Sequence, residues 1–406
     1  MHPFKGHQGN LRPDILLPDT GNPGETLEFR ICEINGRFPI SFLHHVAISN
    51  EALTTANTWH NGLEPATDHK ALFDSLCELF DPRYRIYFLR GSLDSIPEHN
   101  PLFGNMEERT GFRPRLISPD DLRLVPDARS RTGFVLCCVN PVPVSHPSPN
   151  TTTHPSIITT AEGEMEQIHQ TALQLIDYEL FALPKAIQHH IVLTSRNDPR
   201  TIFLVHDKRI LGIIRQELPA LVYKHNVLSK RQAALLERSI IPTILPGDGE
   251  MELLLEQTRQ SRNTGVGDHA NANGNGKAKD DVKTGYILKP IRQARGAGIL
   301  LGKHLSHTQW ESILADLTSP TPTSAAQYIL QPLLTRLCTL PRFWDEERKT
   351  RDCRMVGNYF SVNGRFVGVG GWRTVMVGNV NGEEQEVISA STREAMQVLS
   401  VMPCSS

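Results

Sequence analysis

Apolar and polar positions along the chain fall into short segments of two periods. Apolar or alternating runs predict strands at Ile15–Leu17, Phe29–Ile34, Arg85–Leu89, Leu116–Ser118, Phe134–Val139, Thr201–Val205, Ile240–Leu245 and Tyr328–Gln331. Helical spacing predicts Asp68–Phe80, with Leu72, Phe73, Leu76 and Leu79 inward, a short helix at Asp120–Leu124, and Glu162–Leu183, with Met165, Ile168, Ala172 and Leu175 on one face. A further helix follows Lys208 and turns Leu211, Ile214 and Leu218 to one side. Ser229/Gln232 and Ser306/Gln309 read as capping boxes that open the helices Lys230–Arg238 and the one bearing Trp310, Ile313, Leu314 and Leu317. Ser391 and Glu394 predict a last helix carrying Ala395, Val398, Leu399 and Met402. Asn363-Gly364 between Arg354–Phe360 and Arg365–Val369 is the signature of a type I′ hairpin turn. Strands and helices interleave without an internal repeat, so the fold class is α/β (α+β).

Length and composition narrow this picture. At 406 residues the chain exceeds the usual limit of one core, so two or three subdomains are expected. Pro141–Ser156 (PVPVSHPSPNTTTHPS) reads as a surface loop. Glu256–Thr284, whose core is Gly/Asn/Asp-rich without apolar anchors, reads as a disordered insertion. A formal net charge of −2 gives no electrostatic case for nucleic acid or acidic membranes, and no apolar run spans a bilayer. Seven irregularly placed cysteines do not make a disulfide framework, and no Cys/His spacing suits zinc. MHPFKGHQGNLRPD lacks the apolar core of a signal peptide, so Asn150-Thr151-Thr152 is an idle sequon and a cytoplasmic location is expected.

Candidate chemistry concentrates in two places. The stretch Gly285–Gly302, GYILKPIRQARGAGILLG, sets apolar runs around a loop bearing Arg292, Arg295, Gly296 and Gly298, with Lys289 just before it. Two short strands with a basic, glycine-bearing connection form a hairpin whose N–H groups and lysine suit phosphate oxygens. A basic hairpin turn with no ligand is the plainer alternative. Near the N-terminus Arg12 and Asp14, then Glu33, Asn35 and Arg37, alternate along strands and share a face if those strands pair. Two carboxylates and an amide oxygen suit Mg2+ bound with substrate phosphates. The alternative is a solvated strand face with ion pairs.

The order of these pieces resembles the ATP-grasp superfamily in a circularly permuted form, similar to the glutathionylspermidine synthase-like ligases. Arg12-Pro13-Asp14 and Glu33-Ile34-Asn35 stand at the N-terminus, whereas ordinary members carry those elements near the C-terminus. A Lys289-Pro290 lid stands late in the chain. The resemblance covers most of residues 11–50 and 200–375 and is faint between 60 and 190. It implies an ATP-grasp fold with permuted metal-binding strands in 10–60, a small α/β pre-ATP-grasp-like domain in 61–200 with its loop at 141–156, a helical central segment in 201–255, the insertion 256–284, and the nucleotide lid and C-terminal core in 285–402. It implies the cofactors ATP and Mg2+. By the same resemblance Lys208, Lys289 and the loop with Arg295, Gly296 and Gly298 would contact phosphates, and Gln331 would read adenine at the hinge. Asp14, Glu33 and Asn35 would hold the metal, and Arg12, Arg354 and Arg373 would meet phosphate or substrate and stabilise the moving charge.

These roles suit an ATP-dependent carboxylate–amine (or carboxylate–thiol) ligase, with small-molecule acid and amine partners, no nucleic acid and no membrane. A homodimer is the assembly the resemblance suggests. A phosphotransferase and a non-catalytic nucleotide binder are the competing readings. The related enzymes' E-x-N-A-D reads E-I-N-G-R at Glu33–Arg37, so Arg37 stands where an acid would be; it would bind an anionic substrate group or pair with Asp14. The adjacent pairs His44-His45 and His189-His190 have poor spacing for a metal. Cys32 alternates away from Glu33 toward a core, and Trp372 packs or lines the nucleotide site.

Overall fold

A computed structural model of the chain describes residues 9–18, 28–37, 43, 46–47, 49–50, 63–91, 101–141, 156–263, 281–293, 296–319, 327–334, 338–341, 350–376, 396–398 and 401–403. Its largest sheet is antiparallel and joins the two ends of the chain. The order is Met396–Val398, Trp372–Met376, Thr350–Val362, Asn10–Leu16, Arg30–Asn35. Cys338–Pro341 and Arg365–Val369 pair further along the long strand Thr350–Val362. The N-terminal strands therefore complete a sheet whose other members come from the last third of the sequence, as a permuted order requires.

The Asp14 strand, Asn10–Leu16, is interior to this sheet despite Pro13. Proline has no N–H to give, and pairing to the long strand passes from Leu11↔Ser361 directly to Asp14↔Asn358. On its other edge it pairs with the Glu33 strand, Arg30–Asn35, in the register Arg12↔Asn35, Asp14↔Glu33, Ile15↔Ile31. Cys32 is skipped, so a β-bulge falls beside Glu33 and re-aims that side chain. The hairpin through Asn363 (φ 48°) and Gly364 (φ 76°) has the left-handed pair that a type I′ turn needs.

A second, three-stranded antiparallel sheet carries the basic hairpin: Leu300–Leu301, Tyr286–Pro290, Tyr328–Pro332. Two helices back it. Gly249–Asn263 and His307–Leu317 bury Met251, Leu254, Trp310 and Leu314 against Leu288 and Leu330. Trp310 is fully buried, and its indole N–H donates to Thr258 Oγ1 at 3.1 Å, which satisfies the one polar atom of the ring. Ser306 begins the second of these helices with the predicted capping box.

Two further sheets lie between these in sequence. Thr171–Leu173, Tyr87–Leu89 and Arg115–Ile117 form a parallel sheet, and Leu122–Pro126, Phe134–Val139, Gly163–Gln167 and Ile157–Thr160 an antiparallel one. Leu63–Pro65 pairs with Val401–Pro403.

Several sequence expectations are corrected here. Glu162–Leu183 is not one helix but two strands, Gly163–Gln167 and Thr171–Leu173, followed by the short helix Asp177–Phe181. Met165, Ile168, Ala172 and Leu175 are all buried, and their three-and-four spacing mimics a helix. Asp120–Leu124 is a 3-10 turn, Pro119–Asp121, running into the strand Leu122–Pro126. Thr201–Val205 is a π-helical turn, and Ile240–Leu245 makes only single bridges, Ile240 to Ile31 and Ile244 to Leu330. The last predicted helix is instead the strands Met396–Val398 and Val401–Pro403. Residues 256–263 extend a helix; the core of the expected insertion, most of the 141–156 loop, His44-His45 and Arg295 lie outside the described residues.

Candidate functional site

Four of the predicted side chains meet because of one register. Opposed residues of an antiparallel pair share a face, so Asp14 and Glu33 stand side by side and Arg12 and Asn35 lie one pleat along. Arg12 Nε donates to Asp14 Oδ1 at 3.2 Å. Asn35 Nδ2 donates to the same oxygen and to the Arg12 carbonyl, both at 3.3 Å, which leaves its own carbonyl oxygen for another group. Arg373, brought in by the strand Trp372–Met376, donates to Asp14 Oδ2 at 2.9 Å. Arg354 lies on the long strand at the same side as Asn358, the residue opposite Asp14.

Glu33 is the more open carboxylate. Its side chain is 22% exposed, and its sole ion pair among the described residues is to Lys208 Nζ at 3.6 Å. Burial by itself would raise this carboxyl, but the cations Lys208, Lys289 and Arg12, with His206 once it is protonated at low pH, hold it at about 2. Lys208 is the residue before the helix Arg209–Tyr223, and its ammonium also donates to the Gln293 carbonyl at 2.6 Å. Its backbone N–H donates to the Ile291 carbonyl at 3.1 Å. That helix start is thereby tied to the end of the Lys289 strand.

Lys289 is buried in the strand Tyr286–Pro290, 9% exposed, and among the described residues its ammonium has neither a hydrogen bond nor an ion pair. Burying an ammonium without an anion is costly. Gln331, opposite Ile287 in the neighbouring strand, is fully buried. Its Nε2 donates to Thr243 Oγ1 at 3.1 Å and to the Cys32 carbonyl at 3.4 Å, while its Oε1 is unsatisfied among the described residues. Gly296 (φ 76°) and Gly298 (φ 71°) shape the hairpin turn, and a Cβ on Gly298 would stand 3.0 Å from Pro290 Cγ. Arg292 departs from the expected phosphate loop: it turns to Asp207 at 3.3 Å and to Asp177 at 4.0 Å.

Other side chains singled out in the sequence find plainer places. Arg37 donates to the Gln174 carbonyl at 2.8 Å, while Asp14 is taken by Arg12 and Arg373. Cys32 joins a core with Ile15, Ile31 and Leu211, and burial pushes its thiol up to about 11. Trp372 lies over Gly357, where a Cβ would stand 2.5 Å from the indole ring. His190 is satisfied at Nδ1 by the Ala186 carbonyl and at Nε2 by Thr132.

Three polar groups escaped sequence reading. Asn358 Oδ1 is buried beside Asp14 without a hydrogen bond among the described residues. The Asn10 side-chain amide and both ring nitrogens of His206 are buried and equally unsatisfied. Burial drives the His206 pKa down to about 4, so the ring is neutral at neutral pH. Nothing but three-dimensional burial marks these residues.

The donor set fits the ligands that the resemblance implies. Glu33 is ionised and partly open, the Asn35 carbonyl is uncommitted, and Asp14 is ordered by Arg12 and Arg373, an oxygen set suited to a hard divalent ion. Among the described residues no three His, Cys, Asp or Glu side chains cluster as a complete metal cage, so such an ion would share its ligands with a bound phosphate. No described helix is long and apolar enough to cross a membrane.

Comparison with known proteins identifies the family. The family model of the AnkG N-terminal domain matches residues 1–204. The ATP-grasp enzyme ankG of Aspergillus thermomutatus is 36% identical over 365 residues, which is 89% of this chain and 71% of that protein. A glutathione synthetase-like effector of Globodera pallida, GSS30 in its apo form, aligns at 13% identity and a TM-score of 0.48, covering 91% of this chain and 74% of that one. The identity and coverage shared with the Aspergillus protein establish that the chain belongs to the AnkG family of ATP-grasp enzymes.

Proposed function

We propose that the protein is an ATP-dependent ligase that joins a carboxylate to an amine through an acyl-phosphate and releases ADP and phosphate. The observation that carries this reading is Lys289, a buried cation with no anionic partner among the described residues, acting on the same ionised carboxylate, Glu33, as Lys208. A buried ammonium beside an open carboxylate is what a nucleotide phosphate and its divalent ion would together neutralise.

In this reading Lys289 and Lys208 bind the phosphates, and Gln331 offers its unsatisfied Oε1 to a hydrogen-bond donor on the base. Glu33, the Asn35 carbonyl and Asp14 would hold Mg2+, which supplies charge neutralisation at the β- and γ-phosphates. Arg373 and Arg12 fix Asp14 and carry positive charge to the place where the phosphoryl group moves. A substrate carboxylate oxygen attacks the γ-phosphorus, the bond to the β–γ bridging oxygen breaks, and ADP leaves. An amine then attacks the acyl carbon, the bond to the phosphate oxygen breaks, and phosphate and one proton are released. The hairpin with Gly296 and Gly298 serves to keep water from the acyl-phosphate.

The test is ADP release from ATP and Mg2+ with pools of acids and amines added singly and together. The proposal expects ADP only when an acid and an amine are both present, and none after chelation of the metal. ADP with an acid alone, accompanied by a stable phosphorylated product, would make the protein a phosphotransferase. Nucleotide binding with no ADP from any pool would contradict turnover.

A further inference from the structure

One amide holds the link from which the Arg373 strand starts. Asp14 stands opposite Asn358 on the long strand, and Arg373 stands opposite Val356, two residues before Asn358. Asp14, Asn358 and Arg373 therefore share a face of the sheet. Asn358 is fully buried there. Its Nδ2 donates to the Gly371 carbonyl at 3.1 Å, and its backbone carbonyl accepts from the Gly370 N–H at 2.8 Å. A Cβ on Gly370 would overlap Asn358 Oδ1, so only glycine lets the amide lie against the chain at that point.

These contacts reach Arg373 through the backbone. Gly370-Gly371 ends the strand Arg365–Val369 and begins Trp372–Met376. Two successive glycines are the most permissive link a chain can have, so its course is set by what grips it from outside. Asn358 grips it at both residues. A leucine in its place could fill the space but would leave the Gly371 carbonyl without its donor. Among the described residues the Arg373 guanidinium has one hydrogen bond, from Nη2 to Asp14 Oδ2, and its Nε is buried without one. Its orientation therefore depends on where the strand sets its Cα.

We propose that Asn358 is a positioning residue of the reaction: by clamping Gly370-Gly371 it sets the Arg373 guanidinium against Asp14, where the phosphoryl group moves, without itself touching a substrate. The inference rests on the ligase reading and deepens it. A cation stabilises charge that develops in a transition state to the extent that it is already in place, with no reorganisation left to make. Misplacement of such a group by about 1 Å, caused from outside the chemistry, costs on the order of 100-fold in rate. A buried amide bonded to the link supplies that accuracy, which a loop of two glycines lacks.

The test is a double-mutant cycle of Asn358→Ala and Arg373→Ala in the full chain. It is read in ADP release per folded molecule, in affinity for Mg2+ and a non-hydrolysable ATP analogue, and in ligand-free denaturant melts. Asn358→Ala lowers kcat by about tenfold or more while analogue affinity stays within about threefold, and the double variant is at most about threefold slower than Arg373→Ala alone. In the melts, Arg373→Ala shifts the midpoint less in the Asn358→Ala background than in the wild type. Gly370→Ala, which displaces the amide, slows the wild type to a similar degree and slows Asn358→Ala no further. It takes the place of Asn358→Ala in the cycle should that variant fail to fold. Wild-type turnover in Asn358→Ala, or a loss that multiplies in full with that of Arg373→Ala, makes the amide structural only and overturns the proposal. A wild type that releases no ADP from any acid and amine contradicts the ligase reading instead. The melts then judge the clamp alone, and equal midpoint shifts in the two backgrounds overturn it.

Discussion

Two carboxylates in this protein, one buried and one partly open, live in opposite company. Glu166, in the strand Gly163–Gln167, is 1% exposed and is met by Arg85 Nε at 2.8 Å, with Arg115 at 3.7 Å. Arg85 in turn gives a second N–H to the Arg113 carbonyl at 2.8 Å. Charge is matched there within the protein. Around Glu33 it is not: Lys208 stands at 3.6 Å without a hydrogen bond to it, and Lys289 is buried nearby with no partner among the described residues. Matched buried charge belongs to architecture, and breaking it leaves an ion stranded. Unmatched buried charge is an imbalance awaiting something from outside, which is why the nucleotide and metal are assigned to the Glu33 region and nothing to Glu166.

Substitutions at the two places should therefore differ in kind. Glu33→Gln should slow ADP release by on the order of 10³-fold while nucleotide affinity stays within about tenfold, since a charge needed where phosphoryl transfer occurs is lost. Steady-state ADP assays and nucleotide titration of the variant separate the two quantities. Glu166→Ala should instead strand Arg85 and lower unfolding stability by about 3–5 kcal/mol, with per-molecule turnover of the folded fraction unchanged. Denaturant melts measure that loss, and a melt like that of the wild type would show that the pair holds nothing together.

The pH dependence sharpens the contrast. Glu33 is held at about 2 in the fold against an ordinary 4.5. A depressed carboxylate contributes stability that is fully present above about 4.5 and is lost as pH falls through about 2. Acid unfolding of Glu33→Gln should accordingly be flatter between those values than that of the wild type, and parallel curves would remove Glu33 as an acid-sensitive group. The smallest effect is expected far from both carboxylates. Ser306→Ala removes one helix cap and should cost about 1 kcal/mol without altering nucleotide affinity.

What the sequence disclosed follows the range of the forces involved. Local signals read well: both capping boxes, the Asn363-Gly364 turn and the hairpin around Lys289 are present as expected. Asp14, Glu33 and Asn35 were legible because alternation along a strand is itself local, and Arg373 joined them by way of the long strand. Met165 to Leu175 misled because the strand pairing that decides helix against strand comes from elsewhere in the chain. Phe134–Val139 pairs with one of those strands, and Tyr87–Leu89 with the other. Asn10 and His206 had no sequence signal at all, since an unsatisfied polar atom exists only once burial is known.

The central claim is that Lys289 is buried for the sake of a nucleotide phosphate. Its most direct test is calorimetric titration of Mg2+ and ATP analogue into the wild type and Lys289→Met, with the melting temperature of each ligand-free protein taken alongside. The account predicts an affinity lower by on the order of 10²-fold in the variant, from the loss of a charge-assisted contact. It also predicts a ligand-free protein no less stable than the wild type, because an unpaired buried cation has been replaced by an apolar side chain. Equal nucleotide affinity, or a variant destabilised like Glu166→Ala, would contradict it.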